Sequence, residues 1–199
     1  MRLFVALTPP GEVVDELRAS TVALRELAPD LRWTRPEQWH VTLAFLGEVG
    51  EHIVDELARR LNRTAGRHPP LSLSFGGGGR FGHQVLWTRV KGDRDGLCRL
   101  ADSVRAAARR SRLPMEQRPY RPHLTLARAA VATDLRPLVE RLASWQGLPW
   151  MATRLYLVRS RLGAGSGGSA LHEPIAGWPL LGSSRSDQLT AGPVQSCER

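Results

Sequence analysis

Apolar residues recur along the chain in two rhythms, and the switching between them lays out the predicted elements. Residues 2–7 form a short apolar run that reads as a buried strand. Val13, Val14, Leu17, Val22, Leu24 and Leu27 then make a helical stripe, with Thr8 placed to cap it and Pro9 or Pro10 in its first turn. Pro29 and Asp30 break the stripe. Residues 31–34 read as a short strand, 35–38 as a turn, 39–46 as a longer strand, and 51–64 as a helix burying Ile53, Val54, Leu57, Ala58 and Leu61. Residues 71–75 alternate cleanly, as a half-buried strand does. Gly76 to Gly79 read as a loose connection to a strand at 85–90.

A helix follows over 93–110, with Leu97, Leu100, Ala101, Val104 and Ala108 on one face. Its other face carries Arg94, Arg99, Arg105, Arg109 and Arg110 and reads as solvated. Pro114, Pro119 and Pro122 keep the approach to a strand at 123–128 extended. A helix is expected from Thr133 or Asp134 to near Gly147, then a strand at 151–160, a Gly/Ser loop, and a last strand at 171–180. From Gly182 the chain is polar and unpatterned, which predicts an unfolded tail over 182–199 behind one unit of residues 1–181. The order strand, helix, strand, strand, helix, strand, strand is roughly repeated. It predicts an α+β fold of two similar lobes rather than a doubly wound sheet.

Two of these strands carry the same short phrase. Residues 40–44 read His-Val-Thr-Leu-Ala and residues 123–127 read His-Leu-Thr-Leu-Ala, the two histidines standing 83 positions apart. Side chains alternate along a strand, so His40 and Thr42 share one face with Ala44, while Val41, Leu43 and Phe45 share the other. His123, Thr125 and Ala127 repeat the arrangement. Two such strands meeting at a cleft would bring two imidazoles and two hydroxyls into one small volume, a plausible seat for a phosphate. One neutral imidazole can take a proton while a second, protonated one gives a proton, the pair that displacement at phosphorus needs. Arg128, five residues after His123, falls on the opposite face of a regular strand. It reaches such a site only if the strand ends or bulges near Ala127.

Composition adds a charge argument. The 199 residues carry 28 basic and 19 acidic side chains, a formal charge of +9. Lys91 is the only lysine, so the excess rests on arginine. Guanidinium forks suit phosphate, although a GC-rich coding bias enriches arginine as well. Cys98 and Cys197 have no metal-ligand spacing and predict no disulfide framework, in keeping with a cytoplasmic protein. No secretory leader or membrane span is expected. His52, His68 and His83 have no partner spacing, and no short-spaced cluster of ligands accompanies His40 or His123, so no metal is expected. The run from Gly163 to Gly168 fits a dinucleotide fingerprint, but no helix follows it, and the reading is a flexible loop bordering the site.

Three blocks together resemble a known family: residues 2–6 (RLFVA), 39–48 (WHVTLAFLGE) and 118–128 (RPYRPHLTLAR). They are similar to the two-histidine phosphoesterase superfamily, and within it to the LigT-type RNA 2′,3′-cyclic phosphodiesterases, also called 2′-5′ RNA ligases. The resemblance runs to about residue 181. It implies a bilobal fold with a central cleft and metal-independent hydrolysis of an RNA-terminal 2′,3′-cyclic phosphate to a 2′-phosphomonoester. By the same resemblance His40 and His123 are the acid–base pair, His40 the acid and His123 the base, and Thr42, Thr125 and Arg128 hold the phosphate. It implies no cofactor, RNA ends as partner, no membrane contact and a monomer in the cytoplasm. The alternatives are a phosphodiesterase for small cyclic nucleotides and a non-catalytic RNA-end-binding module. The resemblance departs at His172, Glu173 and Pro174, where the family tends to carry an aromatic residue.

Overall fold

The computed structural model describes residues 1–182 of the chain. Its strands and helices are β1 (Arg2–Leu7), α1 (Gly11–Ser20), α2 (Val22–Leu27), β2 (Arg32–Trp33), β3 (Val41–Glu48), α3 (Glu51–Ala65), β4 (Leu71–Phe81), β5 (Val85–Gly92), α4 (Arg94–Arg110), β6 (His123–Arg128), α5 (Arg136–Leu142), β7 (Trp150–Ala152), β8 (Arg154–Arg161) and β9 (Leu171–Pro179). The strands form two antiparallel sheets, one ordered β3-β1-β8-β9 and the other β2-β6-β5-β4-β7. The expected α+β architecture of two lobes is present, with one His-Thr strand in each sheet.

The lobes are not halves of the chain. The first and last strands lie in the same sheet, β1 pairing with both β3 and β8. The stretch expected as one strand at 151–160 is where the chain changes sheets. Trp150–Ala152 pairs with β4, Arg154–Arg161 pairs with β1, and Thr153 between them accepts from the Leu180 N–H.

A single apolar cluster joins the two sheets, drawing Leu3, Val5 and Leu43 from one and Leu73, Leu86 and Leu124 from the other. Helices α3 and α4 pack on each other, α3 against β8 and β9, while α4 touches β3 and β4. Asp93 caps α4 by accepting from the Gly96 N–H at 2.8 Å, satisfying an otherwise unpaired donor. On β1, Leu3, Val5 and Leu7 enter this core, whereas Phe4 and Ala6 join Val158 in a smaller cluster on the other face.

Four local expectations are corrected. Thr8 does not cap the first helix. Pro10 occupies the N-cap position, and its carbonyl accepts from Val13 and Val14. The single helix expected up to Leu27 breaks at the buried Thr21, whose hydroxyl returns to the Arg18 carbonyl. The last helix covers only Arg136–Leu142 of the span to Gly147. Gly76 to Gly79 lie inside β4 instead of a loop. They are needed there because a Cβ on Gly79 would lie 2.1 Å from the Trp87 ring and one on Gly78 would lie 2.9 Å from Leu142. Glycine in a strand interior marks such close approach.

Of the two cysteines, Cys98 is buried in α4, and Cys197 lies outside the described residues. The expected tail also lies, from residue 183 onward, outside them. Among the described residues no helix is long and apolar enough to cross a membrane.

Candidate active site

The two motifs fold alike in detail. His40 stands immediately before β3, behind the buried Trp39, whose indole N–H donates to the Thr34 hydroxyl at 2.8 Å. His40 Nδ1 lies 2.6 Å from the Gln38 carbonyl, and His123 Nδ1 lies 2.7 Å from the Arg121 carbonyl. A carbonyl oxygen only accepts, so each Nδ1 carries a proton, and in the neutral ring each Nε2 is left bare. The same backward bond over two residues thus fixes tautomer and orientation in both motifs.

Each strand then bulges at the same place. In β3, Thr42 pairs with Ala6 but Ala44 pairs with Val5, so one residue of β3 is unmatched. In β6, Thr125 pairs with Trp87 but Ala127 pairs with Leu86. A bulge shifts alternation by one position. Leu43 with Ala44, and Leu126 with Ala127, are accordingly all buried. The next residue emerges on the histidine face, Phe45 in one strand and Arg128 in the other. Phe45 is 59% exposed, which overturns its expected place on the face opposite His40 with Val41 and Leu43. Arg128 is brought to the site by the bulge near Ala127, and its charge disfavours the protonated form of both His40 and His123. His40, His123 and Arg128 therefore form one electrostatic cluster. Thr42 and Thr125 are half-buried, and Thr42 lines the same cavity as His123.

Aromatic rings support both imidazoles. Phe4 packs on His40 with centroids 4.6 Å apart. Phe81 stands edge-on to His123 at 4.8 Å, and Trp87 lies 5.9 Å from it, in the space that Gly79 leaves open. Burial makes charge expensive here. It is the main cause that takes His40 down to about 4, helped by His172, His123 and Arg128 and opposed by the Gln38 carbonyl. His123 is lowered as well, chiefly by burial and secondarily by Arg128, with the Arg121 carbonyl opposing.

Sequence reasoning missed one member of this cluster. His172, on β9, sits edge-on to both His40 and Phe4, with centroids 5.1 Å apart in each case. Its Nδ1 is shut off from water and has no hydrogen-bond partner. Gln38 anchors β9 beside His40, its side chain donating to the Ala170 carbonyl at 2.7 Å. A single histidine outside any repeated phrase gives no signal. Only the departure at 172–174 from the family pattern marked the place. Two arginines of β8 near the loop are already engaged, since Arg159 and Arg161 both bind Glu173. Among the described residues no three His, Cys, Asp or Glu side chains are grouped to hold a metal ion.

Two antiparallel sheets, each bringing a histidine, a threonine and the residue that emerges after its bulge toward one cleft, define a two-histidine fold. A family model described as the 2′-5′ RNA ligase superfamily matches residues 8–164. The chain belongs to that superfamily. It is 34% identical over 175 residues to an RNA 2′,3′-cyclic phosphodiesterase of Thermus thermophilus, covering 81% of this chain and 83% of the relative. A crystal structure of a Thermus thermophilus protein superposes with a TM-score of 0.78 at 27% identity, covering 92% of this chain and all of that one. Escherichia coli LigT complexed with 3′-AMP gives a TM-score of 0.72 at 26% identity, covering 90% of this chain and 97% of that one.

Proposed function

We propose that residues 1–181 hydrolyse a 2′,3′-cyclic phosphate at an RNA end to the 2′-phosphomonoester, without a metal. The observation that carries this reading is the matched pair of imidazoles. Each is locked by Nδ1–H to a backbone carbonyl, with its Nε2 left to exchange a proton, and Arg128 acts electrostatically on both.

His123 Nε2 removes a proton from water as the water oxygen attacks phosphorus. The bond from phosphorus to the 3′ oxygen breaks, and His40 gives its Nε2 proton to that oxygen. Water is consumed, the 3′-hydroxyl is freed and the phosphate stays on the 2′ oxygen. An imidazolium that holds its proton weakly is a strong acid, and burial takes His40 down to about 4, which suits it to the leaving group. A bound phosphate anion favours the imidazolium form and so loads that acid as the substrate arrives. Arg128 and the hydroxyls of Thr42 and Thr125 hold the non-bridging oxygens, where negative charge grows.

A monomer working in the cytoplasm belongs to the same reading, since both motifs come from one chain. The test is product analysis on a 2′,3′-cyclic-phosphate-ended oligonucleotide with EDTA present. A 2′-phosphate product from the wild type, lost in both His40→Ala and His123→Ala, is the expected result. Binding without turnover by the wild type would leave an end-binding module instead.

A further inference from the structure

Beside the acid–base pair an open cavity of about 550 Å³ runs away from His123 and Thr42. That volume lies in the range of small-molecule sites. β3, β4, α4 and the segment leading into β6 enclose it. Two kinds of group meet on its walls. Phe45 and Phe81 supply flat apolar surface, Phe45 having been turned outward by the β3 bulge. Arg105, Arg118 and Arg121 line it as well, with Glu116 as the one acidic residue among the lining.

The arginine-bearing segment is held in place. Arg105 reaches from α4 and donates to the carbonyls of Glu116 and Arg118, both at 2.8 Å. Pro119 and Pro122 stiffen the stretch between them and His123. The Arg118 and Arg121 residues are exposed.

The chemistry of this wall exceeds what the reacting phosphate requires. That phosphate is already matched by His40, His123, Thr42, Thr125 and Arg128. A nucleobase is uncharged and gives no reason for further guanidinium groups, but a second phosphate does. Aromatic surface next to cationic groups is the combination that binds a base together with its backbone. The substrate's own connectivity fixes which nucleotide this is. A 2′,3′-cyclic phosphate occupies both the 2′ and the 3′ oxygens, so the strand can leave the site only through the 5′ oxygen. We propose that the cavity is a subsite for the nucleotide on the 5′ side of the cyclic end, with Arg118 on the internucleotide phosphate and Phe45 and Phe81 against the base. The enzyme therefore favours a strand end over a free cyclic mononucleotide. The inference rests on the cyclic phosphodiesterase reading and adds the length of the substrate to it.

The experiment compares a 2′,3′-cyclic mononucleotide with a dinucleotide of the same terminal nucleoside, for the wild type and Arg118→Ala. The wild type is expected to show a kcat/KM about tenfold or more higher on the dinucleotide, the scale of one charge-assisted contact plus stacking. Arg118→Ala is expected to remove most of that preference while leaving mononucleotide turnover within about twofold. Equal wild-type rates on the two substrates, or a variant that lowers both alike, would overturn the subsite and leave the phosphodiesterase reading standing. Calorimetric binding of the two 2′-phosphate products tests the subsite apart from turnover. Equal affinities for the mononucleotide and dinucleotide 2′-phosphates would reject it even in an enzyme that turned over neither substrate.

Discussion

At the scale of single residues the site is governed by charge held close to buried imidazoles. Both histidines bind protons more weakly than a free imidazole, His40 down at about 4. In the free enzyme both are therefore neutral at pH 7, and in the proposed reaction the acid gains its proton as the phosphate arrives. Limbs of a kcat/KM profile report the free enzyme, so both limbs are expected below pH 6.5, with the lower one reporting His40. The kcat profile reports the complex, where the anion favours imidazolium, and is expected at higher pH. Coincident kcat and kcat/KM profiles centred above pH 7 would contradict this assignment. His172 faces His40 from β9, while His123 and Arg128 face it from β6. His172→Phe keeps the ring contact and removes one source of repulsion, so the lower limb is expected to move up with little change at the optimum. A wholly structural His172 would leave that limb in place. Arg128→Ala removes the guanidinium and is expected to lower kcat/KM by about 10²-fold. The same variant should raise the affinity of both histidines for protons, a rise that NMR titration of the imidazoles would read.

At the scale of elements, two bulges and a run of glycines separate what the chain displays in its sequence from what it builds. The histidine and threonine positions follow from strand alternation and were legible in it. The paired strands, the helices α3 and α4 and the two-sheet class were legible from periodicity for the same reason. Phe45 was not, because a bulge is set by pairing with β1 and leaves no mark on an apolar run. Arg128 was legible as a conditional statement, and the bulge between Leu126 and Ala127 supplies the condition. Gly76 to Gly79 were misread since glycine signals both turns and close packing, and only the facing Trp87 and α5 decide between them. Gly79→Ala makes that decision measurable. Its Cβ would collide with the Trp87 ring that backs His123. Overpacking of this kind costs about 1–3 kcal/mol, to be read from denaturant midpoints at unchanged slope. Activity should fall further than stability alone explains, because the ring that moves is one that holds the His123 imidazole.

At the scale of the whole molecule, the separation of the two imidazoles depends on how one sheet is docked on the other. Neither sheet is built from a contiguous half of the chain. β1 cannot complete its pairing until β8 arrives, and the chain reaches β8 only after the second sheet has received β4, β5, β6 and β7. The apolar core is likewise shared, with residues of both sheets and α3 and α4 in one cluster. Two lobes with separate cores would be free to unfold in turn. Lobes with a common core and interleaved strands lose both sheets together, which is the condition for a cooperative, all-or-none transition. Tryptophans report on both sides of the interface, Trp39 beside β3 and Trp87 and Trp150 in the second sheet. Equilibrium unfolding in urea is therefore expected to give the same midpoint by tryptophan fluorescence and by far-ultraviolet circular dichroism. A fluorescence transition preceding the loss of secondary structure would mean that the lobes part before they melt. The cleft would then be adjustable, and the spacing between His40 and His123 would be set by the bound phosphate instead of the fold.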